Sequence, residues 1–475
     1  MALYLPESLN LEDTIKKYPP HEIANFRIEK AIYILDLITR VPASNRKIKV
    51  KNGFIPLSTK SLQDKFTDCC IYLSYLKRIN VLESDNHYIP DKKCRGYRFA
   101  EAYMGKVIPI KPLTKLRKNS ILNQHKRGTA IANATYPYLM KWYNENLVID
   151  YPSALKQLND LHAKYNPKGD TEDKRERCFQ SFFNSHYRSI TDFHFQDFRA
   201  KIDNFGYRLH TNITNISKKY RPLITYKGLA LSSIDIRSSQ PYISTILLNE
   251  QFYRENKATQ KPTSLSNIKH TEVFYSTEEI TGKIEYNQYP PNILLKYPPL
   301  MLLSFKELAT TGDIEKYKKL VSDGTIYDYF ADKVLDQVGQ DFVKYYLNLD
   351  LSIRNHKKEL FYKAIFSDNT FIDQPDAAHV WQFQREFPSV HRIFYEIKKD
   401  DKDNLVRCLQ RSESHFVLNV ICRYFAEAYP DVPIYTIHDC MITIQSHSQY
   451  LAQIAEQVLT EAIGLKPRLK EEKWE

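Results

Sequence analysis

A short apolar run that ends on a carboxylate and leads straight into a helix limits the folds open to this sequence. Residues 229–234, Leu-Ala-Leu-Ser-Ser-Ile, have the length and composition of a buried strand. Pro241 follows at a spacing that suits the first turn of a helix, where no amide donor is needed. Asp235 is therefore predicted at the junction, where it either holds a metal ion or caps the helix.

A second carboxylate belongs to a predicted hairpin. Residues 432–444, Val-Pro-Ile-Tyr-Thr-Ile-His-Asp-Cys-Met-Ile-Thr-Ile, are typical of two strands joined by a tight turn. The turn consists of His438 and Asp439. The pattern predicts that a rigid hairpin presents Asp439 at its tip.

Cations and aromatic rings share one face of a helix predicted from about residue 351 to 367. Side chains four positions apart lie on the same side of a helix, and here they are Arg354, Lys358, Tyr362 and Phe366. This face is poor core material. It suits a triphosphate near its cationic end and a stacked base near its aromatic end. A surface helix with incidental cations is the alternative.

The charge balance favours a nucleic-acid partner. The sequence has a net charge of +12, together with 34 Tyr and 24 Phe. Cations bind phosphates and aromatic faces stack on bases, although a mildly basic enzyme has the same composition. Seven scattered Cys without a CxxC pair predict a reducing compartment. Without a signal peptide or an apolar run of about 18 residues, a soluble cytoplasmic protein with no membrane partner is expected.

Residues 50–100 have the order of elements found in a winged helix. A short strand at 55–57 is followed by two predicted helices and a hairpin. The apolar side of the second helix, from 67 to about 80, is predicted to be Cys70, Leu73, Leu76 and Ile79. Cations near the predicted wing suit phosphate contacts: Lys92, Lys93, Arg95 and Arg98. A role in protein contacts is the alternative.

Two aspartates on separate strands can carry out chemistry together. They can hold two divalent ions about 3.5–4 Å apart, as in-line phosphoryl transfer requires. Lys358 could stabilise a triphosphate and protonate the leaving group. The sequence contains no Gly-rich phosphate loop, which argues against ATP hydrolysis at a Walker-type site. It also contains no Ser/His/Asp signature and no HExxH.

In chain order, these stretches resemble motifs A, B and C of the family A polymerases. That family includes bacterial DNA polymerase I, related phage DNA polymerases and, more distantly, single-subunit phage RNA polymerases. Asp235 with Gln240 resembles motif A, the helix face from 354 to 366 resembles motif B, and His438-Asp439 resembles motif C.

Weaker matches surround the three motifs, and the resemblance covers about residues 205–475. Residues 206–212 are similar to the Gly-Arg-Leu-Ser segment before motif A, with Arg208 at its Arg. Arg221 resembles the Arg in the segment leading to motif A, and Leu409-Gln410 resembles the Gln-containing segment before motif C.

The resemblance implies an α+β fold, a right-hand polymerase of palm, fingers and thumb with an N-terminal helical and winged-helix-like domain. Residues 1–125 would form the DNA-binding module and 126–220 a thumb-like helical region. The palm would comprise 221–250 and 400–475. Residues 251–399 would form the fingers, with an insertion near 255–320.

The resemblance also implies a role for each matched residue. Two Mg²⁺ ions, replaceable by Mn²⁺, would be held by Asp235, Asp439 and the backbone carbonyl of Ile236, with Lys358 as the third catalytic residue. The incoming nucleotide would be bound by Arg354, Lys358, Tyr362, Phe366 and Gln240. The primer terminus or the adjacent minor groove would be contacted by Arg208, Gln410 and His438.

Several positions depart from the family pattern. Gln240 stands where the DNA polymerases have a Glu that helps to exclude ribonucleotides, which leaves the accepted sugar open. Cys440 follows the motif C Asp, where DNA polymerases have Glu and RNA polymerases tend to have Ser. Phe366 and Ser367 replace the usual Tyr and Gly of motif B. Motifs A and B are also unusually far apart, a difference assigned to the insertion.

The sequence therefore predicts a template-directed nucleotidyltransferase, a DNA polymerase that extends a primer by two-metal-ion chemistry. With about 200 residues before the palm, no proofreading exonuclease is expected. An RNA polymerase or primase-like enzyme of the same fold is one alternative, and a catalytically silent DNA-binding replication initiator is another. The expected partners are a DNA primer–template, nucleoside triphosphates, and replication or mobile-element proteins.

Overall fold

The structure is a computed structural model that describes residues 3–44, 52–64, 66–89, 94–110, 120–165, 172–249, 312–374 and 376–475. In these residues the chain combines helices with antiparallel sheets around a continuous apolar core. The predicted insertion near 255–320 lies outside the described residues up to position 311. The domain ranges inferred from sequence remain predictions.

The strands of the described residues form four sheets. They are β1 (Leu3–Pro6), β2 (Ile55–Pro56), β3 (Leu82–Ser84), β4 (Gly96–Phe99), β5 (Val107–Ile110), β6 (Leu147–Ile149), β7 (Ala200–Ile202), β8 (Leu209–Thr211), β9 (Ile224–Tyr226), β10 (Leu229–Ile236), β11 (Ile434–Ile437), β12 (Cys440–Ile444) and β13 (Leu469–Lys473). The main sheet has the order β11-β12-β10-β9-β6, with β13 also paired to β10. Smaller sheets are β1-β5, β2-β4-β3 and β7-β8.

Helices cover these sheets and fill the space between them. In chain order they are α1 (Leu11–Lys17), α2 (Ile28–Ser44), α3 (Thr59–Gln63), α4 (Cys69–Arg78), α5 (Ser120–Thr135), α6 (Pro137–Met140), α7 (Tyr151–Tyr165), α8 (Glu172–His194), α9 (Asn212–Asn215), α10 (Ser239–Ser244), α11 (Asp313–Ser322), α12 (Ile326–Leu347), α13 (Arg354–Phe366), α14 (Ala378–Glu386), α15 (Pro388–Lys398), α16 (Asn404–Ser414), α17 (Cys422–Ala428) and α18 (Ser448–Ile463). A π-helical segment, His415–Ile421, joins α16 to α17.

β10 is the central strand of the main sheet. β12 and β13 both pair with it antiparallel, and β9 pairs with its first residues. Leu231, Ile234 and Ile236 are at most 1% exposed, because α18 and neighbouring elements cover the sheet. The buried strand predicted over 229–234 is confirmed, and it extends through Ile236.

The helix predicted after this strand is also confirmed, with Pro241 in its first turn. Its N-cap position is occupied by Ser238, which has a φ of 50°. Asp235 lies three residues earlier, inside β10. The alternative in which Asp235 serves as the helix cap is therefore wrong.

The element order predicted for residues 50–100 is observed. The order β2, α3, α4, β3, β4 follows α2, and β4 lies between β2 and β3 in the small sheet. Ser58 caps α3 by accepting a hydrogen bond from the amide of Ser61 at 3.2 Å. The assignment of these elements to a winged helix remains a prediction.

The predicted apolar side of α4 was partly wrong. Leu73, Leu76 and Ile79 are buried, but Cys70 is exposed. Tyr72 and Tyr75 are buried in addition, because both rings pack against Phe26 at centroid distances of 5.3 and 5.6 Å. Two aromatic rings bury far more apolar area than one thiol, so they set the rotation of the helix.

The helices from α11 to α15 form a layer that contacts α10 through α11. α13 packs against α12 and α14, and α15 packs against α11, α14 and α16. The ammonium of Lys398 reaches the C-terminal end of α13, where it donates to the carbonyls of Ile365 and Ser367 at 3.0 and 2.8 Å. This contact satisfies carbonyls that a helix end leaves without intrahelical donors.

Candidate active site

The two predicted aspartates meet at one end of the main sheet. Asp235 in β10 is directly opposite Cys440 in β12. Asp439 immediately precedes Cys440, in the two-residue turn between β11 and β12 that the hairpin pattern predicts. His438 opens this turn with a φ of 56°, a left-handed conformation that His adopts more readily than most residues. Strand pairing thus brings together carboxylates that are far apart in sequence.

Electrostatic repulsion and burial both act on this pair of carboxylates. Burial and the charge of Asp439 raise the pKa of Asp235 to about 6. Burial also raises the pKa of Asp439, whereas the charge of Lys358 lowers the pKa of both aspartates. Burial disfavours ionised carboxylates, and like charges repel each other. The charge of Lys358 offsets only part of the cost of ionising both aspartates, because both pKa values remain raised. Such a site favours a bound cation.

The donor set fits a hard divalent ion. Mg²⁺ is commonly bound by one or two carboxylates while waters and substrate phosphates complete its coordination, and Asp235 and Asp439 supply two carboxylates. Among the described residues, no group of three or more His, Cys, Asp or Glu side chains is arranged to hold a metal ion. Ile236, the predicted carbonyl ligand, follows Asp235 in β10, and its role remains a prediction.

α13 carries the four predicted side chains on one face. Arg354 and Lys358 are exposed, while Tyr362 and Phe366 are half-buried with ring centroids 5.6 Å apart. The ammonium of Lys358 lies 5.5 Å from the centre of the Tyr362 ring. The opposite face belongs to the core, through Leu360, Phe361, Ala364 and Ile365. Because the charge of Lys358 acts on both aspartates, the cationic end of this face lies toward the carboxylate pair.

Tyr327 of α12 is a member of the site that the sequence did not reveal. Its hydroxyl lies 3.1 Å from the hydroxyl of Tyr362. Burial raises the pKa of Tyr327, the charge of Asp439 raises it further, and the charge of Arg354 lowers it. Tyr327 therefore connects the aromatic half of the α13 face with the carboxylates. Nothing in its sequence spacing separates it from the core residues of α12.

Arg208, a predicted primer contact, is held by a buried glutamate. Glu413 of α16 is 2% exposed and accepts hydrogen bonds from Arg208 Nε at 3.0 Å and from its Nη2. The other carboxylate oxygen accepts from the hydroxyl of Ser239 at 2.7 Å. Burial and the charge of Asp439 raise the pKa of Glu413 to about 6. The only signal in the sequence is a carboxylate one helical turn after Gln410.

Gln410 and His438 both contact the segment that contains Arg208. A Cβ added to Gly206 would lie 2.6 Å from the side-chain oxygen of Gln410, so this close approach requires glycine. The rings of His438 and His210 are 5.4 Å apart. Gln410 and His438 therefore both lie beside residues 206–210, the segment that contains Arg208.

Two residues flank Asp235 on the neighbouring strands. Burial raises the pKa of Cys440 to about 12, which keeps its thiol neutral near pH 7. Lys470 of β13 is paired with Asp235 and its charge lowers the pKa of that carboxyl. The charged pattern of β13 gave no reason to single out Lys470. Gln240 is half-buried in the first turn of α10.

The cations predicted to bind DNA near the wing have different surroundings. Lys92 and Lys93 lie outside the described residues, and Arg95 is exposed. Arg98 Nη2 lies 2.6 Å from a carboxylate oxygen of Glu83, and its guanidinium lies 4.2 Å from the centre of the Phe54 ring. Arg98 is thus engaged within the small sheet, and a phosphate contact would require it to leave Glu83.

Comparisons with known proteins add little to this geometry. No family model matches the sequence, and no curated protein matches it. Among solved structures, the chain is similar to the POL domain of Pol1 from M. smegmatis in complex with DNA primer-template and dNTP. The identity is 14%, the TM-score is 0.29, and the match covers 71% of this chain and 68% of that chain. At these values the likeness carries no argument about function. No helix in the described ranges is long and apolar enough to cross a membrane.

Proposed function

We propose that this protein is a template-directed nucleotidyltransferase, specifically a DNA polymerase that extends a primer. The observation that carries the proposal is that Asp235 in β10 pairs with Cys440, the residue next to Asp439, while the charge of Lys358 of α13 acts on both carboxylates. Two carboxylates and a cation are the groups that in-line transfer of a nucleotidyl group requires. In this proposal the main sheet is the palm, the layer from α11 to α15 belongs to the fingers, and the helices of 126–220 are thumb-like.

Asp235 and Asp439 are the proposed ligands of two Mg²⁺ ions, together with the carbonyl of Ile236. When bound, the ions supply positive charge that acidifies the primer 3′-hydroxyl and neutralises the departing pyrophosphate. Arg354 and Lys358 bind the triphosphate, and Lys358 donates a proton to the leaving group.

The remaining residues of the site position the two substrates. Tyr362 contacts the sugar and base of the incoming nucleotide, and Phe366 stacks beside the nascent or template base. Gln240 borders the sugar. The primer terminus is held by Arg208, Gln410 and His438. Holding the primer and the nucleotide in a reactive geometry contributes to the rate independently of any chemical step that these residues perform.

Primer extension on DNA and RNA templates tests this assignment. The purified protein is given dNTPs or rNTPs with Mg²⁺ or Mn²⁺, and product length is followed on a gel. We expect templated extension with dNTPs. Asp235→Asn and Asp439→Asn are each expected to lower extension by at least about 10³-fold, because each removes the charge that binds metal.

Asp13→Asn is the matched control, because Asp13 is an exposed α1 carboxylate whose contacts with Lys16 and Asn10 lie at the surface. It should extend primers at the wild-type rate. Extension that persists in both site variants would show that the carboxylate pair is not the catalytic centre. The proposal also includes synthesis without proofreading, which predicts no shortening of a mispaired primer in the absence of dNTPs.

RNA synthesis or priming is the second candidate function. It is favoured by Gln240 and Cys440, which stand where the DNA polymerases that the sequence resembles have carboxylates. Preferential use of rNTPs, or product formed without a primer, would establish it. A catalytically silent DNA-binding initiator predicts tight DNA association with no nucleotide turnover even in Mn²⁺.

We propose that the winged-helix-like unit binds duplex DNA through its phosphates. The element order and the exposed Arg95 support this assignment. Fluorescence anisotropy with a duplex should show weaker, salt-sensitive binding for Arg95→Ala. Unchanged affinity and salt dependence in this variant would favour a protein-contact role.

A further inference from the structure

Glu413 is the most deeply buried carboxylate of the site and the one with the most defined hydrogen bonds. One oxygen accepts from Nε and Nη2 of Arg208, and the other accepts from the hydroxyl of Ser239. Burying a carboxylate costs free energy unless it is paired and hydrogen-bonded. Both of its oxygens have such partners here, so the arrangement is well satisfied.

The partners of Glu413 come from two other parts of the site. Arg208 is separated from it by 205 residues in sequence, and Ser239 by 174. Ser239 is the first residue of α10, the helix that follows Asp235. Glu413 therefore connects α16 with the loop that presents the proposed primer contact and with the segment that leaves the metal-binding strand.

α16 holds the Arg208 segment at additional points. The side chain of Gln410 lies against Gly206, and the hydroxyl of Ser414 donates to the carbonyl of Gly206 at 2.7 Å. The carboxylate of Asp203 accepts from the amides of Gly206 and Arg208 at 2.7 and 3.0 Å. The backbone of the segment is therefore fixed without Glu413, and the contribution specific to Glu413 is to the guanidinium of Arg208.

The guanidinium of Arg208 interacts with two acidic groups, Glu413 and Asp439, and Glu413 can therefore influence where it lies. The charge of Arg208 lowers the pKa of both Glu413 and Asp439, so the guanidinium lies within electrostatic reach of a proposed metal ligand. Without Glu413, the carboxylate of Asp439 would still attract this guanidinium. Two donors of the Arg208 guanidinium meet one carboxylate oxygen, and this pair of hydrogen bonds limits both the direction and the plane of the arginine.

We propose that Glu413 is a positioning residue that orients Arg208 toward the primer terminus and keeps it away from Asp439. This inference rests on the proposed function and adds to it a residue that contacts neither nucleotide nor metal. It predicts that Glu413 acts on extension through Arg208, and that its loss affects the primer end more than the incoming nucleotide.

A double-mutant cycle of Glu413→Gln, Arg208→Ala and the double variant tests the proposal in the full-length protein. Single-turnover incorporation is measured with a paired and a mispaired primer terminus, together with KM for the nucleotide. We expect Glu413→Gln to slow incorporation about 10–100-fold on a paired end, to reduce discrimination against the mispaired end, and to change KM less than about threefold. In the Arg208→Ala background the same change should have almost no further effect.

Independent, additive losses from the two substitutions would overturn the proposal, as would equal loss of rate on paired and mispaired ends. If Glu413→Gln does not fold, as judged by thermal unfolding, Ser239→Ala decides, because it frees one carboxylate oxygen and keeps every charge. A rate loss of about two- to fivefold that disappears in the Arg208→Ala background supports the proposal, and an unchanged rate overturns it. A wild-type protein that adds no nucleotide overturns the proposed function and this inference together.

Discussion

Lys357 and Lys358 are neighbours in sequence with different surroundings. The ammonium of Lys357 lies 2.8 Å from a carboxylate oxygen of Asp328 in α12. The ammonium of Lys358 lies 5.5 Å from the centre of the Tyr362 ring, and its charge acts on Asp235 and Asp439. At the scale of single residues, a shift of one position along the helix separates a surface ion pair from a proposed catalytic cation.

Lys358→Ala should slow nucleotide incorporation by about 10²–10³-fold, because it removes the cation and proton donor at the triphosphate. Affinity for the primer–template duplex should change less than about threefold. Lys357→Ala is the matched control and should retain incorporation within about threefold of wild type. Rapid-quench kinetics and anisotropy measure the two quantities. Equal losses of rate and duplex affinity in Lys358→Ala would instead indicate a structural lysine.

Gln240 is the residue from which we expect the choice of sugar. Its side chain retains the bulk of a glutamate but carries no charge. Gln240→Ala should raise the ratio of kcat/KM for rNTPs over that for dNTPs by about 10–100-fold, because a smaller side chain leaves room for a 2′-hydroxyl. The ratio is measured by single-nucleotide extension with matched NTP pairs. An unchanged ratio would exclude Gln240 from sugar selection.

At the scale of elements, α13 depends on the helices packed behind it. His379 in α14 is buried against Phe371, and His391 in α15 is half-buried against Phe383. Burial lowers the pKa of each imidazole from 6.5 to about 4. The folded layer therefore holds both histidines neutral at pH values where the unfolded chain would protonate them.

Stability should fall as the solution is acidified from pH 6.5 toward pH 4, since the unfolded chain binds more protons across that range. Each histidine should contribute a loss of about 1–2 kcal/mol in the free energy of unfolding between pH 6.5 and 5. Urea unfolding at several pH values measures this slope. In His379→Phe and in His391→Phe, the free energy of unfolding should depend less on pH, by the contribution of the one histidine removed. An unchanged pH dependence in both variants would contradict the lowered pKa values.

At the scale of the whole molecule, a buried ionic cluster joins the N-terminal elements to α8. Asp36 of α2 is fully buried, bonds the guanidinium groups of Arg40 and Arg188, and accepts from the amide of Tyr4 at 2.9 Å. The hydroxyl of Tyr4 donates to Asp192 of α8 at 2.9 Å. β1 and α2 are therefore packed against α8.

Asp36→Asn should lower the free energy of unfolding by about 3–5 kcal/mol, because it leaves two arginines buried without their shared counter-charge. Asp13→Asn, at an exposed ion pair with Lys16, should change it by less than about 0.5 kcal/mol. Both values follow from urea unfolding at pH 7. A loss below about 1 kcal/mol for Asp36→Asn would show that the cluster relaxes when its central charge is removed.

Features that depend on the local order of residues could be predicted before the fold was known. Helical spacing predicted the shared face of Arg354, Lys358, Tyr362 and Phe366, and turn chemistry predicted the hairpin tip at His438-Asp439. Side chains repeat every 3.6 residues in a helix and every 2 residues in a strand. Because both patterns involve residues close in sequence, such elements can be recognised without knowledge of the fold. The side of a helix that faces the core is harder to predict from sequence. Cys70 was assigned to the wrong side of α4 because the rings of Tyr72 and Tyr75 pack against Phe26, which is distant in sequence.

Contacts between elements that are distant in sequence depend on the folded chain. Asp235 approaches Asp439 through the register of β10 with β12, and Glu413 finds Arg208 across 205 residues. Neither contact has a local signature, because strand register and side-chain pairing are settled by the burial and hydrogen bonding of the whole chain. The sequence supplied carboxylates and cations of the right kinds. Folding brings these residues together in one site, which also contains Glu413 and Tyr327.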